Sequence, residues 1–230
     1  FMPTLKEEKK LWRKGYQYVI GFDEAGKGPL AGPVVAGAVM VKNSKLKTKN
    51  SNLKLLSEIK DSKQLTPKKR EEFYKILTNH PAIEWGVGIV SEKMIDKINI
   101  KNATELAMKK ALDNLNSKTQ ILNFKQTSSS KLKNSKVFLL IDGNHISNLQ
   151  LKTCHLQLIV KGDEKVFSCA AASIIAKVTR DKIMEKMDKI YPQYGFQKHK
   201  GYGTKLHFEM IKKYGPCKIH RKTFKPIKRI

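Results

Sequence analysis

Acidic residues are scarce in this chain: 20 Asp and Glu stand against 46 Lys and Arg in 230 residues, a formal charge of +26. Such an excess repels itself within a compact fold and is best tolerated beside a polyanion, which puts nucleic acid first among partners. Arginine is scarce as well, since 41 of the 46 cations are lysine. A lysine skew also follows from biased genome composition, so the charge permits nucleic-acid binding without requiring it. Cysteine is nearly absent: Cys154, Cys169 and Cys217 form no CxxC pair and are odd in number, which argues against a disulfide framework or a structural zinc site and fits a reduced, cytoplasmic protein. Long apolar runs are missing too. The longest weakly polar stretch, 29–41, carries prolines and glycines and is too short to span a bilayer. The residues at the start lack the apolar core of a signal peptide, and Phe1 ahead of Met2 reads as a remnant.

What is present suffices for one large domain, or a domain with a small appendage, because 40% of the residues are apolar and 29% charged. Runs 16–22 and 34–41 are rich in β-formers and read as adjacent strands. Segment 42–54 is mostly Lys, Asn, Ser and Thr and reads as a solvated connection. Thr66-Pro67 is an N-cap followed by a first-turn proline, which predicts a helix to about Asn79. A strand follows at 83–90, then a helix over 102–115, whose Leu106, Met108, Ala111, Leu112 and Leu115 share one side. Segment 117–136 is polar and reads as loose. Short continuous apolar runs at 137–141 and 156–160 predict buried strands. From Glu164 onward an apolar period near 3.6 predicts a long helix, and Thr204 caps another that ends at Tyr214-Gly215-Pro216. These elements predict an α/β core over 1–190 with a helical, basic C-terminal extension over 191–230.

In a chain this short of acids, carboxylates at the ends of apolar strands carry information, because burying a charge costs several kcal/mol unless something pairs with it. Asp23 and Glu24 end the first strand, Asp142 ends the run VFLLI, and Asp163 follows LQLIV by one short turn. If the three strands share a sheet and point the same way, these side chains meet on one rim. Converging carboxylates repel, and divalent cations with oxygen ligands relieve the repulsion, so Mg²⁺ or Mn²⁺ is the coherent ion. Two ions about 3.5–4 Å apart can activate a water and stabilise the leaving oxygen of an in-line phosphodiester attack. Taken singly, each acid has a plainer reading: Asp163 as a helix N-cap, and Asp142-Gly143-Asn144 as a turn.

Residues 21–27, GFDEAGK, fit G-x-x-x-x-G-K after a strand, most of a phosphate-binding P-loop. Gly28 stands where Ser or Thr should hold Mg²⁺, however, and Pro29 and Pro33 spoil the helix that should follow. A second reading has Gly26 and Gly28 admitting a substrate close to the backbone while Lys27 meets its phosphate.

The run GFDEAGKGPLAGPVVAGAV resembles the signature of the ribonuclease HII family, the type 2 ribonucleases H. Further segments agree in order: DSKQL at 61–65, IDG at 141–143, KGD at 161–163, AAASIIAKVTRD at 170–181 and HKGYGT at 199–204. The resemblance implies a ribonuclease H-like mixed sheet flanked by helices, with the C-terminal extension contacting substrate. It implies a metal-dependent endonuclease that cuts the RNA strand of RNA/DNA hybrids and cuts 5′ of ribonucleotides embedded in duplex DNA, leaving 3′-hydroxyl and 5′-phosphate ends. Asp23, Glu24, Asp142 and Asp163 match the family's metal-binding acids. Gly26-Lys27-Gly28 matches the triplet whose backbone contacts the ribose 2′-hydroxyl, and Tyr202 the tyrosine that stacks on the following sugar. Lys63 and Lys161, like Lys60 and Lys177, fit backbone-phosphate contacts.

Lys27 replaces the family's usual arginine, keeping the charge and losing the bidentate fork. Lysine there is shared with the sister ribonuclease HIII group, whereas the segment 29–33, Asp163 and the short stretch before the first strand favour HII. A monomer is expected. The rival readings are a ribonuclease HIII-like hybrid nuclease, a nucleotide-binding P-loop protein, and a basic nucleic-acid-binding protein without catalysis.

Overall fold

The computed structural model describes residues 2–44, 59, 62, 65–119, 121, 136–144, 146 and 154–228. Most of the two polar segments, 45–54 and 122–135, lies outside the described residues, as do Lys60, Asp61, Lys63 and Gln64.

A five-stranded mixed sheet in the order β3-β2-β1-β4-β5 forms the centre, with β1 Tyr18–Ala25, β2 Val34–Val41, β3 Ile83–Val90, β4 Val137–Asp142 and β5 His155–Ile159. β1 to β3 are antiparallel neighbours, whereas β4 and β5 run parallel to β1. Every residue of β2 is buried. Its alternate side chains serve opposite faces: Ala36, Ala38 and Met40 pack in one apolar cluster, Val39 and Val41 in another. α1 Lys6–Arg13 precedes the sheet, and α2 Pro67–Asn79 connects β2 to β3. Thr66 caps α2 by accepting the Lys69 N–H at 3.3 Å.

α3 Glu92–Thr119 covers one face through Ala107, Ala111, Leu112 and Leu115. It is longer at both ends than its 102–115 apolar stripe predicts. Residues 117–119 of the segment read as loose belong to it, and it breaks at Asn99, whose φ is 66°. Gly86 and Gly88 leave no room for a Cβ against the backbone of α3. The other face is covered by α2 and by the long helix α5 Phe167–Ile190. Gly21 and Gly37 admit α5 in the same way, by close approach to Ser168 and Ala172.

A single turn, α4 Gly162–Lys165, precedes α5. The C-terminal part comprises a 3₁₀ turn Pro192–Tyr194, then α6 Phe196–His199, α7 Lys205–Tyr214 and α8 Lys225–Lys228. Its apolar cluster joins Tyr194, Phe196, Ile211, Ile219 and Ile227 to Met184 of α5 and to Leu30 and Ala31 before β2. No helix among the described residues is long and apolar enough to cross a membrane.

Candidate active site: an acidic rim beside a glycine-bracketed lysine

The parallel register brings the acids together. Phe22 of β1 lies opposite Ile141 of β4, so Asp23 and Asp142 follow as the next residues of neighbouring strands. Asp142 accepts the Gly162 N–H at 2.7 Å, and a Cβ on Gly162 would sit only 3.3 Å from the Asp142 Cα. That close approach places Asp163, in the first turn of α4, over the strand ends. One carboxylate oxygen from each of Asp23, Asp142 and Asp163 lies within 4.8 Å of the others.

The group is strained electrostatically. Asp23 is 3% exposed, and burial followed by the charges of Glu24 and Asp142 pushes its carboxyl well above the ordinary aspartate value. Hydrogen bonds from Ser173 and from the Glu24 N–H, at 2.7 Å to Oδ1, oppose that shift. Glu24 lies beside this group: its Oε1 meets the Lys27 ammonium at 2.7 Å, and its Oε2 is buried without a hydrogen-bond partner. Three hard oxygen donors within a few ångströms, a carboxyl held up by like charges and a buried free carboxylate oxygen are the donor set that a Mg²⁺- or Mn²⁺-sized ion satisfies.

Asp163 is not the N-cap of the long helix. Val166 occupies that position, and the Ser168 N–H is taken by Glu8, which reaches across from α1 at 2.8 Å. Ser173, in the run AAASIIAKVTRD, is buried and also bonds Asp23. It sits 2.6 Å from the Ser62 hydroxyl of the DSKQL segment.

The loop after β1 runs through Gly28 to Pro33 and enters strand β2, so no helix follows the GK dipeptide. This excludes the P-loop reading, since the helix N-terminus that holds phosphate is missing. Gly26 has φ 100°, a conformation open to glycine, and a Cβ there would strike Arg180. Two buried arginines hold this loop from beneath. Arg180 donates to the carbonyls of Pro33, Lys200 and Ala31 at 3.0–3.1 Å. Arg221 donates to Gly32, Lys27 and Gly26 at 3.0, 3.1 and 2.6 Å. Burial lowers both, Arg221 to about 9 with help from the neighbouring charge of Arg180, and both remain cationic at neutral pH.

Tyr202 is 44% exposed, and its ring edge is 3.8 Å from where a Gly28 Cβ would stand. The Lys177 ammonium lies 5.9 Å from the Tyr202 ring centre and pairs with Asp181 at 2.8 Å. Lys161 sits at the start of α4 with φ 57°, and its exposed ammonium meets Glu164 at 3.3 Å. Lys63 lies outside the described residues. The structure therefore brings together Asp23, Asp142, Asp163, Glu24 and Lys27, and, on the adjoining side, Gly26, Gly28 and Tyr202. Sequence reasoning missed the scaffold beneath: Arg180, Arg221, Glu8 and the Ser62–Ser173 pair. The available signals were the scarcity of arginine and the place of Ser62, Ser173 and Arg180 inside motifs of the family resemblance.

The family model for ribonuclease HII matches residues 20–227. The ribonuclease HII of Caldicellulosiruptor bescii is 43% identical over 217 residues, which cover 94% of this chain and 91% of that protein. Among solved structures, the ribonuclease H2 from Pyrococcus horikoshii OT3 is similar with a TM-score of 0.65 and 29% identity, covering 92% of this chain and 96% of that one. Bst-RNase HIII, solved in complex with Mn²⁺, shares the fold with a TM-score of 0.64 at 17% identity, covering 95% of this chain and 70% of that one. Matched over nearly its whole length by sequence and by fold, the chain belongs to the ribonuclease HII family, divalent-metal-dependent ribonuclease H endonucleases that act on RNA/DNA hybrids.

Proposed function

We propose that Asp23, Glu24, Asp142 and Asp163 form a divalent-metal centre, filled by Mg²⁺ or Mn²⁺, at which the enzyme cuts on the 5′ side of a ribonucleotide in duplex DNA or in a hybrid. The products carry a 3′-hydroxyl and a 5′-phosphate. The observation that carries this reading is the placement of three converging aspartates beside a glycine-bracketed loop whose backbone lies open at Gly28. A cation held by these carboxylates supplies Lewis acidity, making a water more acidic and neutralising charge that builds on the phosphate.

The chain's own residues do the rest. Gly26 and Gly28 let main-chain groups approach a ribose 2′-hydroxyl, the group that separates RNA from DNA. Lys27, whose side chain is 52% exposed, faces a phosphate. Tyr202 offers an exposed ring for stacking on the next sugar. Lys161 and Lys63 are assigned to backbone phosphates.

Residues 1–190 carry the chemistry and 191–230 the substrate-contacting extension, acting as a cytoplasmic monomer. The two parts join where Leu30 donates its N–H to the Gly201 carbonyl at 2.8 Å and Gly32 and Arg221 exchange further main-chain bonds with Ile219 and Leu30. A duplex bearing one ribonucleotide, incubated with Mg²⁺, Mn²⁺ or EDTA, tests the reading. Cleavage at the 5′ side of the ribonucleotide with either ion and none in EDTA is expected; an intact strand in all three overturns it.

A further inference from the structure

Three imidazoles lie buried under the substrate-facing loops, with His199 8%, His207 0% and His220 1% exposed. Their ring nitrogens are committed internally, which removes them as general bases or ligands. The Cys217 N–H donates to His220 Nδ1 at 2.9 Å, so that nitrogen is an acceptor and Nε2 carries the proton. His220 Nε2 meets His207 Nε2 at 3.0 Å and must donate to it. The His207 proton is then on Nδ1, which meets the Tyr202 carbonyl at 2.9 Å. His199 is fixed likewise: it accepts the Gly201 N–H at Nδ1 and donates through Nε2 to the Tyr194 carbonyl, with its ring stacked on His207 at 4.3 Å. This set of tautomers satisfies each of these contacts; the Cys217 carbonyl, 3.3 Å from His220 Nδ1, takes its proton from the His220 N–H instead.

The chain of contacts has two functional ends. At one is the backbone of Tyr202. At the other, His220 is followed by Arg221, whose guanidinium grips the carbonyls of Gly26 and Lys27. We infer that the hydrogen-bonded pair His207–His220 positions Tyr202 relative to Gly26-Lys27-Gly28, and thereby sets how well the enzyme processes a lone ribonucleotide. This rests on the reading of those two elements as substrate contacts. A continuous hybrid presents a ribose at every register. A single ribonucleotide must satisfy the ribose contact and the stacking contact at one register, so their spacing matters most there.

The test reads the ratio of kcat on a single-ribonucleotide duplex to kcat on a continuous hybrid, because loss of folded protein scales both equally. His207→Phe, which removes both hydrogen bonds, should lower this ratio about tenfold. His207→Asn, which returns an N–H towards the Tyr202 carbonyl, should restore most of it. On the unmodified protein, ¹⁵N NMR should find the proton on Nδ1 of His207 and on Nε2 of His220. An unchanged ratio in His207→Phe while Tyr202→Ala lowers it overturns the inference alone, as do the opposite tautomers. An unchanged ratio in Tyr202→Ala overturns the stacking role, and the inference falls with it.

Discussion

The acidic rim and the basic loop beside it are built on opposite principles. On the rim, Asp23, Asp142 and Asp163 face one another, and Glu24 keeps an oxygen buried without a partner. This region is less stable than it would be with neutral side chains, and a cation bound at the proposed centre would relieve that tension. Beneath the loop, Arg180 and Arg221 are buried cations with every nitrogen on main-chain carbonyls, and the histidine pair is saturated with hydrogen bonds. There the polar groups confer shape. On the function proposed above, chemistry is placed where the fold leaves charge unsatisfied, and recognition geometry where it satisfies polar groups fully.

That contrast is broken most sharply at the acids. Asp142→Asn should reduce cleavage about 10³-fold or more in saturating Mg²⁺, since one carboxylate of a metal centre is worth several kcal/mol of barrier. Stability in EDTA should hold or rise, because the change removes one of the charges that raise Asp23. Single-turnover cleavage and thermal melting read the two effects. A variant that cuts normally, or that melts well below the parent protein in EDTA, would erase the distinction between the regions.

The next largest effect belongs to the loop and has the opposite signature. Arg221→Lys replaces a fork that reaches four carbonyls, those of Gly26, Lys27, Gly32 and Pro33, with a single ammonium. At least one or two buried carbonyls lose their donor, at about 1–3 kcal/mol each. A loss of about 3 kcal/mol in denaturant titration is expected with an unchanged slope. Cleavage by the folded fraction should remain metal-dependent but with a raised KM. Undiminished stability would mean that the carbonyls find water as readily as they find Arg221.

The two regions also differ in how far they can be read from sequence. The rim was legible because a carboxylate at the end of an apolar run is costly anywhere in a chain of 20 acids, and because parallel strands bring such ends together. Strand β3 and the start of α2 were legible from period and capping for similarly local reasons. The scaffold under the loop was not, since Arg221 and Gly26 are 195 residues apart and no local pattern links them. Glu8 is a like case, capping Ser168 across 160 residues. The extent of α3 was misread because Asn99, at φ 66°, separates its first turns from the 102–115 stripe, although Ile95 and Ile98 there pack on the same core, and Asp96 spends its carboxylate on the backbone of Lys222 and Thr223.

The smallest effect sharpens the comparison through pH. Burial lowers His207 and His220 to about 4. An imidazole with a folded pKa below its unfolded value of about 6.5 is protonated first in the unfolded chain. The stability that this pair contributes is therefore complete above about 6.5 and drains as pH falls towards 4. Asp23 acts in the other direction: its raised carboxyl takes a proton first in the folded chain, so acidification relieves the rim in the absence of cations. In EDTA the two slopes partly cancel. Asp23→Asn removes the relief and leaves the histidine loss exposed, so as pH falls below about 6.5 that variant should lose more stability than the parent protein. Denaturant midpoints across this range measure it. Parallel curves for the two proteins would mean that the rim carries no tension to release, and the contrast between the regions would then rest on the histidines and arginines alone.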